Sequence, residues 1–231
     1  KIGAWYNDYS WRGLANNSVA YTEKPDVETF MDEWVSLVKS KSGERGIFNR
    51  VAAQNQAAKW SRRSKDLSYG TNPCSEIILR DKQFCNLTEV VVRENDTEAT
   101  LRSKIQLATI LGTFQATLTD FKFLSQEWKQ NTEEERLLGV SMTGIMDAKI
   151  TSNPDPKMLE RLRDEARKTN EKYSKLLSIP SSASITCVKP SGTVSQLVDS
   201  ASGIHARHND YYIRRIRMDK KDPIYSYLKD Q

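Results

Sequence analysis

Apolar residues recur along this chain with two different periods, and segments of one kind alternate with segments of the other, which predicts an α/β protein. From Thr22 to Ser40, the residues Val27, Phe30, Met31, Trp34, Val35 and Val38 follow the i, i+3, i+4 spacing of an amphipathic helix. Pro25 sits where a first-turn proline is tolerated, and Gly43 stops the run. A shorter helix is expected from Arg50 to Trp60, followed by a basic loop with Arg62, Arg63 and Lys65. Strand-like segments lie around Cys74 and from Asn86 to Arg93, and the turn Glu94-Asn95-Asp96 ends the second.

The second half repeats the alternation. Leu101 to Leu118 reads as a helix with Leu101, Ile105, Ala108, Leu111, Phe114 and Leu118 on one face. Thr132 with Glu135 fits a capping box, and LLGVSMTGIMD shortly after it looks like a strand. A long helix rich in Arg, Lys and Glu is expected from about Pro156 to Leu177, lying outermost; Pro180 ends it before a strand from Ser184 to Lys189. No internal repeat, low-complexity stretch or linker interrupts the 231 residues, so one domain is expected.

Composition narrows the class. With 38% hydrophobic and 28% charged residues and no run approaching the roughly 18 apolar residues of a membrane helix, the chain reads as soluble. Its first twenty residues hold no apolar signal-peptide core. Three cysteines at irregular spacing do not form a disulfide scaffold, so a cytoplasmic location is expected. The net charge of +5 suits a binder of nucleotide phosphates. Its excess gathers in Arg207, Arg214, Arg215, Arg217, Lys220 and Lys221, expected on a strand with solvated arginines; a nucleic-acid-binding tail with Tyr211 and Tyr212 as stacking partners is the lesser alternative.

The segment TNPCSEIILRDKQFCNLTEVVV, residues 71–92, carries the candidate chemistry. In an extended segment Asn72, Cys74 and Glu76 share one side, bringing an amide, a thiol and a carboxylate to one small volume. Such a set can hold a polyol, remove a hydroxyl proton and do sulfur chemistry at the adjacent carbon. An isolated Cys-x-Glu is more often a strand with a buried cysteine. A second segment, SITCVKPSGTVSQLV at 184–198, reads as strand, turn and helix start, where free backbone N–H groups with the hydroxyls of Ser191 and Thr193 can hold an anion. For Pro-Ser-Gly-Thr alone, an ordinary helix cap is the better explanation. His205 and His208 could serve a cysteine hydrolase or, with Cys74 and Cys85, a zinc site. Neither has a local signature, and Cys187 reads as a buried structural cysteine.

NPCSEI followed by FCNLTEVV resembles the active-site segment of the large catalytic chain of ribonucleotide reductases, most of all the adenosylcobalamin-dependent class II type. The resemblance implies that Cys74 becomes the thiyl radical that removes the ribose 3′-hydrogen, that Glu76 takes the 3′-hydroxyl proton, and that Asn72 holds the ribose hydroxyls. Cys85 is then one of two thiols that reduce the 2′ position, its partner lying on an earlier strand of the family. Pro190, Ser191, Gly192, Thr193 and Val194 correspond to the loop that holds the substrate phosphates. LANNSVAY, GERGIFNR and ASGIHARHNDYYIRRIR are similar, more weakly, to neighbouring segments of the same barrel.

The fold so implied is part of a ten-stranded α/β barrel with Cys74 on a central finger loop, residues 1–231 forming one partial domain from its later part. Implied too are adenosylcobalamin, a ribonucleoside di- or triphosphate, a thioredoxin-like or dithiol reductant, and the remaining part of the catalytic chain. Family chains are much longer, so a piece of a longer gene product or half of a split enzyme is expected. A class I reductase with a separate radical-generating subunit, and a catalytically inactive fragment that binds nucleotide or a partner, are the alternatives.

Overall fold

The computed structural model describes residues 17–41, 46–59, 62–213, 215 and 217–231. Near the N-terminus, β1 (Val19–Tyr21) pairs in parallel with β2 (Ile47–Asn49), and α1 (Val27–Ser40) connects them. The Asp26 side chain accepts from the Thr29 N–H at 2.8 Å, capping α1. The helix therefore starts at Val27, the first residue of its apolar stripe and later than the expected Thr22, and Pro25 precedes the cap instead of lying in the first turn. Lys41, at φ 48°, ends it; Gly43, expected to do so, lies outside the described residues, as does Trp60. α2 (Arg50–Ala58) follows as expected.

β3 (Gly70–Thr71) and β4 (Ile78–Leu79) form a short antiparallel hairpin. β5 (Asn86–Val91) then pairs in parallel with β6 (Leu138–Thr143), in register from Asn86–Leu138 to Val91–Thr143. A parallel pair needs a long crossover. Here it is made by α3 (Glu98–Gln115) and α4 (Gln126–Glu135). After β6 come a 3-10 turn (Ile145–Asp147), α5 (Lys149–Ser152), α6 (Pro156–Leu176), α7 (Thr193–Leu197) and α8 (Pro223–Asp230). α6 packs along α3, and the core between them and the sheet centres on Val90, Leu101, Ile105, Val140, Met158 and Leu162.

Four expectations need correction. The buried face of α3 runs through Leu101, Ile105, Ala108, Thr109, Gly112 and Thr113. Leu111, Phe114 and Leu118, expected on it, are 65%, 48% and 72% exposed. The reason is steric and polar at once. Gly112 lies within 3.4–3.5 Å (to an added Cβ) of Leu138 and Thr88, so small residues must face the sheet. The hydroxyls of Thr109 and Thr113 donate to carbonyls one turn back, at 2.7 Å each, and can be buried without loss.

Thr132 and Glu135 form no capping box: α4 starts after Ser125, and both residues are buried in its C-terminal half. The segment 184–188 makes one parallel bridge, Thr186 to Val140, with Leu138 N donating to Ser184 O and Cys187 N to Val140 O, instead of a full strand. Described residues between 201 and 217 form no strand. There Arg207 turns back onto Asp199 (2.7 Å) and Asp147 (3.2 Å), which holds the segment as a loop. Among the described residues six strands make three pairs, a mixed α/β arrangement, and no helix is long and apolar enough to cross a membrane.

Candidate active site

The loop that carries Cys74 and Glu76 hangs from a buried polar network. Arg63 Nη1 donates to the Ile78 carbonyl at 2.8 Å, and Nη2 lies 2.9 Å from Glu135 Oε2, both side chains only 3% exposed. Gln83 Nε2 donates to the same Glu135 oxygen at 2.6 Å, and Arg80 reaches Asn131 at 2.9 Å and Glu134 at 2.8 Å. The guanidinium of Arg63 also stacks on Tyr69, 4.7 Å from the ring centre. Arg63 lies in the basic loop expected there, but its side chain is buried and is the cation that ties β4 and the 80–85 segment to α4. A buried charge requires such a partner. The matching signal in the sequence is the acidic triplet Glu133-Glu134-Glu135, but nothing local links it to a residue some seventy positions earlier.

The Cys74 loop itself is a turn, not a strand. Ser75 N donates to the Asn72 carbonyl at 3.0 Å, and Ser75 has φ 63°. Period-two alternation therefore fails at Cys74, whose side chain is exposed while that of Glu76 is fully buried. Asn72 stays close by another route: its Oδ1 accepts from Ile77 N at 3.2 Å, which closes the turn.

Glu76 meets a residue that the motif did not point to. Lys189 Nζ donates to Glu76 Oε1 at 2.8 Å, across 113 positions of sequence. The other oxygen, Oε2, is buried and without a hydrogen-bond partner. Desolvation pushes the Glu76 carboxyl up, but the bonds from Lys189 and Asn72 outweigh it and hold it below the ordinary carboxylate value. Burial pulls the Lys189 ammonium down, while Glu76 and the nearby thiols of Cys74 and Cys187 leave it raised on balance.

Cys85 and Cys187 come together on the face of the sheet away from α3. Leu87 pairs with Gly139, and a Cβ added at Gly139 would lie 2.4 Å from the Leu87 side chain and 3.1 Å from the Cys187 sulfur. Only glycine admits that row without a shift. Burial raises both thiols, Cys85 well above the usual range and Cys187 to about 12; Cys187 and Glu76 add to the effect at Cys85, and Glu76 and Glu89 add to it at Cys187.

The loop 190–194 follows directly. Ser191 is buried, its Oγ accepting from Ser195 N at 3.1 Å, so its hydroxyl serves the first turn of α7. Gly192, Thr193 and Val194 are exposed, and the space beside Gly192 is open. The loop's position is set from behind: a Cβ at Gly203 would fall 1.9 Å from the Lys189 carbonyl oxygen. His205 and His208 are exposed, and among the described residues no three His, Cys, Asp or Glu side chains could hold a metal.

The chain matches no model of a protein family. Homologues named adenosylcobalamin-dependent ribonucleoside-triphosphate reductase nevertheless align with nearly all of it. The protein of Lacticaseibacillus paracasei is 30% identical over 94% of this chain, that of Lactobacillus leichmannii 30% over 94%, and that of Levilactobacillus brevis 27% over 96%. The chain spans about a third of the length of these relatives, 32–33%. A crystal structure of a B12-dependent (class II) ribonucleotide reductase superposes with a TM-score of 0.58 at 24% identity, covering 92% of this chain and 37% of that one. The likeness shows a shared fold with part of that molecule, and the resemblance carried by the motifs extends along the chain.

Proposed function

We propose that this chain forms the part of an adenosylcobalamin-dependent ribonucleoside-triphosphate reductase that carries the radical thiol, the base and the phosphate loop, within the ten-stranded α/β barrel of that family. The observation that carries the proposal is the buried, unpartnered Oε2 of Glu76 beside the turn of Cys74, because a buried carboxylate oxygen left without a donor is a site for a substrate hydroxyl. The relatives' names supply the substrate class and the cofactor.

The Cys74 thiol is free and exposed on a turn, which fits a group that must reach it from outside the chain. Adenosylcobalamin, when bound, supplies the radical that makes Cys74 a thiyl. Cys74 removes the ribose 3′-hydrogen and returns it at the end of the cycle. Glu76 Oε2 takes the 3′-hydroxyl proton, and Asn72 holds the ribose hydroxyls. Cys85 gives reducing equivalents with a second thiol from the remaining part of the catalytic chain; the two end as a disulfide while the 2′-hydroxyl leaves as water. A dithiol or thioredoxin-like protein then restores the thiols. The loop of Pro190, Ser191, Gly192, Thr193 and Val194 cradles the phosphates through the backbone N–H groups of its last four residues.

The test is deoxynucleotide formation by the full-length gene product supplied with adenosylcobalamin, a ribonucleoside triphosphate and a dithiol. Cys74→Ser should abolish turnover while nucleotide binding persists, and retained turnover would remove the radical assignment. Glu76→Gln should lower kcat by about 10²–10⁴-fold with a smaller change in KM. An unchanged kcat would refute its role as base.

A further inference from the structure

We infer that Lys189 is a positioning residue for Glu76: its ammonium holds the buried carboxylate ionised and aims Oε2 at the substrate, coupling the phosphate loop to the base. The inference rests on the proposed role of Glu76 and adds to it a residue that the active-site motif does not contain. Three observations meet at Lys189. Its Nζ is 2.8 Å from Oε1 of a carboxylate whose side chain is fully buried, so the cation is the group that offsets the cost of burying that charge. The bond occupies one carboxylate oxygen and leaves the other without a partner, so one edge of Glu76 is fixed and the other is free to accept. And Lys189 is pinned at its backbone, where Gly203 lies so close to its carbonyl that no side chain fits, immediately before the 190–194 loop. A shift of that loop on binding phosphate would therefore move the Glu76 carboxylate with it.

The other groups around Glu76 cannot take over this role. Cys74 lies on its own turn, Cys85 just before β5, and Cys187 on the bridging segment; all three are thiols. Glu89 on β5 acts on Cys187 as a second negative charge, and Arg63, acting on Cys85, is already engaged by Glu135. Lys189 is the cation bonded to Glu76.

The decisive measurement is an infrared titration of the protonated carboxyl band of Glu76 in the full-length protein, the band being identified by its loss in Glu76→Gln. In Lys189→Met the midpoint should move up by at least about one pH unit, as expected when an opposite charge within ~4–6 Å is removed. The acidic limb of kcat/KM should move with it, since that limb reports the free enzyme. Lys189→Arg should restore both. Should the methionine variant fail to fold, Lys189→Gln, one atom shorter, keeps a donor but not the charge, and the same upward shift is expected. A midpoint unmoved in the folded neutral variant overturns the inference. The two failures separate cleanly: if Glu76→Gln turns over normally, the role of Glu76 as base falls; if Glu76→Gln is inactive but the neutral Lys189 variant titrates and turns over like the parent, only the role of Lys189 falls.

Discussion

Two regions of this molecule bear amphipathic helices, and they use them in opposite ways. α1 shows the clearer stripe in sequence, yet Val27, Trp34 and Val38 are 79%, 50% and 65% exposed. α3 shows a blurred stripe, interrupted by glycine and threonines, and Leu101 on it is fully buried. The difference lies in what each helix meets. α3 crosses between two paired strands and is covered again by α6, so small residues are selected where backbones approach and hydroxyls are bonded internally. α1 connects two three-residue strands and, among the described residues, has little opposite its apolar face. Periodicity thus shows that a face is apolar, while burial depends on what stands across from it.

The contrast can be broken most severely at the network that suspends the Cys74 loop. Arg63→Ala would leave Glu135 as an uncompensated buried charge, a loss of about 3–5 kcal/mol in denaturant unfolding. Lys175→Ala, removing an exposed pair with Glu171, should leave the unfolding midpoint almost unmoved. Equal effects would mean that the network is not buried in solution. The helices offer the next test. Leu101→Ala in α3 should cost about 2–5 kcal/mol, whereas Val38→Ala in α1 should stay within about 0.5 kcal/mol. A cost above about 1 kcal/mol at Val38 would show that the α1 face is covered in the protein as it exists. Between these lies Asn170→Ala. That side chain, fully buried between α6 and α3, donates to Thr113 and Ser182 at 3.0 Å each and accepts from Ser182 N at 2.9 Å. Removing it should cost about 1–3 kcal/mol by stranding those groups.

The gentlest test is chemical. Cys74 should alkylate first near neutral pH, because it is exposed, with Cys85 and Cys187 slower because burial raises their thiols. The sign for stability follows from the same shift. Cys187 stays protonated when folded up to about 12, while in the unfolded chain it ionises near its ordinary 9.0. Above pH 9 the unfolded state therefore holds fewer protons than the folded one, and stability falls as pH rises towards 12. Cys187→Ser should flatten that decline; an unchanged slope would mean that the thiol is not buried in solution.

Much of the fold was legible because it is local. α2, α6 and the strands 86–91 and 138–143 were read from apolar spacing and stop signals within a few residues of where they lie. The errors share one cause. Thr109, Gly112 and Thr113 face the core though they are not apolar, and Thr132 and Glu135 imitate a cap inside a helix. The Cys74 segment bends because Asn72 and Ser75 close a turn, and strand propensity carries no term for that bond.

The sequence by itself determined which groups the proposal places at the site, since thiol, carboxylate and amide sit within five residues, Asn72 to Glu76, and the resemblance of that run needs no fold to be read. It determined too that helices and strands would alternate, because a period of 3.6 or of 2 is a property of the chain. Only the tertiary structure decided which charge faces which. Lys189 reaches Glu76 and Arg63 reaches Glu135 over separations of 113 and seventy-two positions, and burial makes those pairs strong. Side-chain spacing along the chain is fixed by backbone geometry, whereas desolvation, and the partner it demands, exist only once distant segments have closed over the site.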